Sequence, residues 1–94
     1  MSQKMARRTK RYIMVDRMDD AENIKQWCID NCDIGERGSA LNSVYIYFDR
    51  CVFGERIAVC FHCSLPVWKT IFEHFDLTKD SEYSHFFHMY CVKH

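Results

Sequence analysis

Several features of catalytic, secreted and membrane proteins are missing from this chain of 94 residues. It contains no glycine-rich nucleotide-binding motif, no Walker loop and no His-Glu-x-x-His sequence, so no motif predicts an enzyme or a cofactor. No apolar run approaches the ~20 residues that a membrane-spanning helix needs. The first residues lack the apolar segment of a secretory signal. We therefore expect a cytoplasmic, non-catalytic protein without a cofactor, a metal or a small-molecule substrate.

The chain also has no net charge, although its charges are unevenly placed. The first eleven residues carry five basic side chains and no acidic one, which leaves a balance of −5 over residues 12–94. We expect a basic, flexible arm over residues 1–10 and a single domain over residues 11–94. The arm either stays solvated or contacts nucleic acid or an acidic partner. The cations assigned to a nucleic-acid contact are Arg7, Arg8, Lys10 and Arg11.

The composition predicts one globular domain with an unusual share of aromatic residues. Apolar residues make up 48% and charged residues 28% of the chain, which is ordinary for a folded domain. Aromatic residues reach 15%, and such side chains are enriched at protein interfaces. The six cysteines are expected to stay reduced in a cytoplasmic protein and to pack as small apolar side chains.

Four segments show the alternation of period two that is typical of strands. They cover residues 11–16, 43–49, 56–63 and 83–92. The last of them contains His-Phe-Phe-His, which is also compatible with a helix, so strand and helix remain alternatives for residues 83–92. One helix is predicted from a capping box of Asp19 and Glu22 to about Cys32, and a second after Ser64, with the only proline, Pro66, in its first turn. The order β-α-β-β-α-β predicts an α+β fold of the ferredoxin-like arrangement. In that fold a four-stranded antiparallel sheet carries both helices on one face.

The second face of this predicted sheet is aromatic and apolar. In residues 43–49, for example, Tyr45 and Tyr47 point away from Val44, Ile46 and Phe48. Because the helices cover one face only, the other face is expected to bind a partner. The residues predicted to form this partner-binding face are Tyr12, Met14, Tyr45, Tyr47, His62, Phe86, His88 and Tyr90.

The sequence leaves three alternatives for what covers that face. It is covered by a protein partner or a second copy of the chain, by single-stranded nucleic acid stacked on the tyrosines, or by the terminal segment of the chain itself. The predicted topology resembles that of the RNA-recognition-motif family. The third predicted strand, Arg-Ile-Ala-Val-Cys-Phe-His-Cys, lacks the glycine and the stacking aromatics of that family's motif, so the family's function is not transferred.

Cysteine and histidine residues suggest two further sites. Cys60, His62 and Cys63 match part of a zinc-ligand spacing, so a small Cys/His zinc domain is an alternative. Residues 60 and 63 of one strand point to opposite faces, however, which works against chelation. Cys63 precedes the second helix and follows His62, and it is the one cysteine that we nominate as a possible nucleophile. We expect packed thiols at both sites.

The sequence therefore predicts a small binding protein that inhibits or adapts another macromolecule. Small inhibitors that phages direct against host defences, anti-CRISPR proteins among them, have a similar size and act as stand-alone domains. This is an analogy of class, and no residue match supports it. A dimer in which two aromatic faces pack about a two-fold axis fits the same pattern.

Overall fold

A computed structural model of the chain describes residues 8–36, 41–51, 54–79 and 88–93. These ranges contain the elements β1 (Arg8–Val15), α1 (Met18–Asn31), β2 (Gly35–Glu36), β3 (Ser43–Cys51), β4 (Gly54–Ser64), α2 (Leu65–His74), β5 (Leu77–Lys79) and β6 (Met89–Val92). The protein is a small α+β domain. Neither helix in the described ranges is long and apolar enough to cross a membrane.

The strands of the described residues form one mixed sheet of six, in the order β2-β3-β4-β1-β6-β5. The three long strands β3, β4 and β1 are antiparallel neighbours. β6 runs parallel to β1, and β2 runs parallel to β3. The prediction of a four-stranded antiparallel, ferredoxin-like sheet is therefore wrong.

The difference arises between α2 and the end of the chain. Residues 76–82 are mostly polar, which is typical of a turn, but Leu77–Lys79 within them forms the edge strand β5. The predicted last strand covers residues 83–92, of which only Met89–Val92 is strand and 83–87 lie outside the described residues. Because β6 returns antiparallel to β5 and inserts beside β1, its direction is opposite to the one that the ferredoxin-like arrangement requires.

Both helices pack on the same face of this sheet. The alternating strand residues Ile13, Val44 and Val59 are fully buried in one apolar cluster. The helices contribute Ala21, Ile24, Cys28, Trp68 and Ile71 to it. The two helices also meet directly, since the Trp27 ring stacks on the His74 ring with 3.7 Å between their centroids. Each strand therefore has one helix-covered side and one side turned away from the helices.

The start of α2 agrees with the prediction from the sequence, whereas the start of α1 does not. α1 begins at Met18 with Arg17 as its N-cap, and no side-chain hydrogen bond caps it, so the predicted capping box at Asp19 does not form. Asp19 and Asp20 instead place negative charge in the first turn, where the helix dipole favours it. α2 begins after Ser64, with Pro66 in its first turn, as the sequence predicts.

The buried side chain of Asn42 ties three segments together at the start of β3. Its Nδ2 donates a hydrogen bond to the Asp33 carbonyl at 3.0 Å, and its Oδ1 accepts one from the Ser64 amide at 3.0 Å. The Asn42 carbonyl accepts a third from the Gly35 amide at 2.9 Å. The loop after α1 and the start of α2 are thus fixed to the sheet through one polar residue.

We expect Asn42→Ala to lower the free energy of unfolding by about 1–3 kcal/mol, because it leaves two backbone groups without their partner at a largely buried position. Urea unfolding followed by circular dichroism measures the loss. Asn31→Ala is the matched control, since the exposed Asn31 side chain makes one hydrogen bond to the Trp27 carbonyl. Its effect should stay below about 0.5 kcal/mol. Equal losses in the two variants would contradict the role of Asn42.

Candidate partner-binding face

The side of the sheet turned away from the helices carries the predicted tyrosines. Tyr12 on β1 and Tyr45 on β3 both pair with Cys60 on the central strand β4. Met14 and Tyr47 pair in the same way with Ala58. We name this surface the open face, and it includes Arg8, Lys10, Tyr12, Met14, Tyr45, Tyr47, Arg56, Ala58, Cys60, His62 and Met89.

Small side chains on β4 create a groove along the open face. Ala58 and Cys60 lie between larger side chains on β1 and β3, whose backbones are about 9.6 Å apart because neighbouring strands are separated by about 4.8 Å. The groove has a volume of about 340 Å³. We name it the tyrosine groove, and it is lined by Tyr12, Met14, Tyr45, Tyr47, Arg56, Ala58, Cys60 and Met89.

The floor of the tyrosine groove is buried, whereas its wall reaches solvent. Cys60 is 2% exposed and Ala58 5% exposed, but Tyr47 is 51% exposed. The side chains around the groove therefore shield its floor without sealing the Tyr47 ring inside the protein. This ring is accessible to a binding partner.

A second groove adjoins the first at the N-terminal end of β1. Its volume is about 590 Å³, and it is lined by Arg8, Thr9, Lys10, Arg11, Tyr12, His62 and His88. Lys10 pairs with His62 across the strands and lies on the same face as Tyr12. None of the seven lining residues is acidic. We name it the basic groove, and Tyr12 belongs to both grooves.

Arg11, one of the cations assigned from the sequence to a nucleic-acid contact, packs against the helix-covered side of the sheet. The residue is 7% exposed, and its Nη1 donates a hydrogen bond to the Cys63 carbonyl at 3.1 Å. Its guanidinium carbon lies 5.4 Å from the centre of the Trp68 ring, a cation–π contact with α2. Its guanidinium group is thus engaged on the helix-covered side. We therefore leave Arg11 out of the cations assigned to the open face.

The other predicted nucleic-acid cations divide between described and undescribed residues. Arg8 and Lys10 line the basic groove. Arg8 also donates a hydrogen bond from Nη1 to the Leu41 carbonyl at 2.7 Å, which holds its side chain in place. Arg7 lies outside the described residues, as does Phe86 of the predicted aromatic face.

Tyr90 lies on the helix-covered side and not on the open face that the sequence predicts for it. It pairs with Ile13, and its ring centroid is 5.0 Å from that of Trp68 and 5.9 Å from that of Phe72. Met89 takes the position on the open face instead. The aromatic cluster beneath α2 thus accommodates the Tyr90 ring.

His88 precedes β6 with a positive φ of 58°, which is uncommon for a residue other than glycine. Its side chain lines the basic groove, and its carbonyl accepts a hydrogen bond from the Tyr12 amide at 3.0 Å. Desolvation lowers the pKa of His88, and the positive charges of Arg11 and Lys79 lower it further. Burial and two nearby cations thus both disfavour the protonated form of His88.

Cys60 and Cys63 face opposite sides of the sheet, as strand alternation predicts. β4 continues to Ser64, so Cys60 lies on the floor of the tyrosine groove while Cys63 is fully buried in the helix-covered cluster. Two further histidines near the end of the chain, His85 and His94, lie outside the described residues. In the part of the chain that the structure describes, no three His, Cys, Asp or Glu side chains are placed to hold a metal ion.

The environment of Cys63 opposes the role of nucleophile. Burial raises the pKa of Cys63 to about 11, although the charge and hydrogen bond of Arg11 act in the other direction. Burial also raises the pKa of Cys28, with smaller contributions from Cys32 and Cys63. Since the thiolate is the reactive form, Cys63 at neutral pH is a packed, neutral thiol.

We expect Arg11→Ala to lower the free energy of unfolding by about 2–3 kcal/mol, because it removes a charged hydrogen-bond donor and the cation–π contact with Trp68. Lys10→Ala is the matched control, since its exposed side chain occupies the neighbouring position on the open face. That variant should lie within about 0.5 kcal/mol of the parent. Chemical denaturation compares the two, and a Lys10→Ala loss as large as that of Arg11→Ala would contradict this assignment.

We expect iodoacetamide to alkylate Cys63 more slowly than Cys32 in the folded protein at pH 8. A pKa of about 11 leaves roughly one thiol in a thousand ionised at that pH, and the thiolate fraction rises about tenfold per pH unit up to the pKa. Cys32 is only partly buried. Peptide mass spectrometry gives both rates, with the urea-unfolded chain as the control in which they become similar. Faster alkylation of Cys63 in the folded chain would restore it as a candidate nucleophile.

Comparison of the chain with protein-family models, with curated proteins and with solved structures found no match. The function of the open face is therefore inferred from its own grooves, charges and exposed side chains.

Proposed function

We propose that the protein is a non-catalytic binding protein that holds another macromolecule on its open face, and thereby inhibits or adapts that partner. The observation that supports this most directly is the tyrosine groove, in which a half-exposed Tyr47 stands beside a buried floor. Tyrosine combines a large apolar surface with a polar hydroxyl and loses little conformational entropy on binding. Methionine, present in the groove as Met14 and Met89, adapts its shape to a partner.

The open face runs across the three long strands β1, β3 and β4. Its breadth supports docking through side chains. The proposed analogy with small phage inhibitors of host defences rests on size and on this mode of action alone.

Tyr47 and Phe48 provide a matched pair of variants for this proposal. They are neighbours on β3, they are 51% and 45% exposed, and they point to opposite sides of the sheet. We expect the immobilised parent protein and Phe48→Ser to retain a partner from an extract of the source cells, and Tyr47→Ser to lose it. Circular dichroism should show all three folded.

The same pair tests self-association. If the occupant is a second copy of the chain, light scattering should show a dimer that Tyr47→Ser converts to a monomer and Phe48→Ser does not. Retention of the partner by all three proteins, or a stronger loss in Phe48→Ser than in Tyr47→Ser, would contradict binding through the open face.

A further inference from the structure

We infer that the occupant of the open face is a single-stranded nucleic acid, with bases in the tyrosine groove and phosphates along the basic groove. This inference rests on the proposed function, because it names the class of macromolecule that the same face holds. The features that support it are the direct connection of the two grooves through Tyr12 and the cationic lining, without an acid, of the basic groove.

Strand β1 presents cationic, aromatic and apolar side chains in one line. Arg8, Lys10, Tyr12 and Met14 occupy alternate positions of β1, so they lie on one face at intervals of about 6.6 Å. The first two are cationic and line the basic groove, and the last two line the tyrosine groove. A nucleic-acid strand that follows this line meets cations at one end and an aromatic, apolar surface at the other.

The width of the tyrosine groove suits a flat ring. Tyr12 and Tyr45 both pair with Cys60, so a base above Cys60 has a tyrosine on the strand at either side. Aromatic rings interact favourably when they pack in offset or edge-to-face arrangements. The small side chains of Ala58 and Cys60 leave this space empty, while Met14 and Met89 supply apolar contacts around it.

The charges of the two grooves favour a polyanion. Neither groove is lined by a carboxylate, whereas Arg8 and Lys10 contribute two cations to the basic groove. Arg56 of the tyrosine groove is not counted with them, because it pairs with Asp49 across β3 and β4. The hydrogen bond of Arg8 to Leu41 employs one of the five N–H donors of its guanidinium group. Asp19 and Asp20, by contrast, are on α1 and thus on the opposite side of the sheet. The described lining of the two grooves is therefore cationic, although the chain as a whole carries no net charge.

A single strand fits this arrangement better than the other anionic macromolecules. Every nucleotide of a single strand offers both a flat ring and a phosphate, which corresponds to a groove for rings beside a groove for anions. A duplex keeps its bases stacked and paired, out of reach of a groove in a sheet face. An acidic polypeptide matches the charges but carries no regularly repeated ring.

Fluorescence anisotropy with a labelled oligothymidine of about 12 nucleotides tests the inference on the full chain. We expect binding that weakens with salt, with a log–log slope of about −0.7 for each phosphate contacted. Lys10→Gln should make the slope shallower by about 0.7, and Tyr47→Ser should weaken binding about fivefold or more at every salt concentration. The matched controls Lys69→Gln on α2 and Phe48→Ser should bind as the parent does.

Several results would overturn the inference. They are no binding by the parent protein at low salt, equal affinity for a duplex of the same length, and losses in Lys69→Gln or Phe48→Ser equal to those in Lys10→Gln and Tyr47→Ser. A partner that is captured through Tyr47 after nuclease treatment, without any oligothymidine binding, would identify a protein partner. That result overturns the nucleic-acid inference and leaves the proposed function in place, whereas loss of both kinds of binding removes both.

Discussion

The one-sided cover of the sheet is the constraint on which the rest of the structure depends. The aliphatic residues on one side of β1, β3 and β4 bury their surface against α1 and α2, and this burial is the main source of stability in such a domain. Trp68 anchors the helix side, with Phe61, Phe72 and Tyr90 around its ring and the Arg11 guanidinium group near it. Neither helix covers the other side of the same strands.

The same constraint positions the candidate site. Since the central strand β4 is fixed by its neighbours on both sides, the small residues Ala58 and Cys60 are held between the aromatic rows of β1 and β3. The groove is therefore formed by rigid strands rather than by loops, which favours binding without a large loss of conformational entropy. Asn42 and Arg11 act at a distance from it, by fixing the junction of β4 and α2 through the Ser64 amide and the Cys63 carbonyl.

The local pattern of the sequence predicts the long strands and the open face well, but not the sheet that contains them. Tyr45 and Tyr47 alternate with Val44 and Ile46, and this alternation alone places them on the side without helices. The edge strand β5 is missed because it has three residues and lies among polar ones, with the buried Leu77 as its only apolar signal. Because β5 is missed, the reversal of direction between β5 and β6 is missed as well, and the predicted topology is wrong.

Long-range contacts place two residues of the predicted site, Tyr90 and Arg11, on the helix-covered side of the sheet. The side of the sheet on which Tyr90 lies is decided by Trp68 and Phe72, which are distant in sequence. Arg11 belongs to a basic run, but the Cys63 carbonyl and the Trp68 ring draw its guanidinium group to the helix-covered side. Local periodicity contains no information on either pairing. The basic groove likewise becomes visible only when β1 and β4 bring Lys10 and His62 together.

Hydroxyl-radical footprinting of the isolated protein measures the accessibility of the open face most directly. Tyr47 and Tyr90 have the same intrinsic reactivity, but Tyr47 is on the open face and Tyr90 packs under α2. If the helices cover only one side of the sheet, Tyr47 is oxidised several times faster than Tyr90. Equal protection of Tyr47 and Tyr90 in the monomeric protein would contradict the account, because the open face would then be covered by the chain itself.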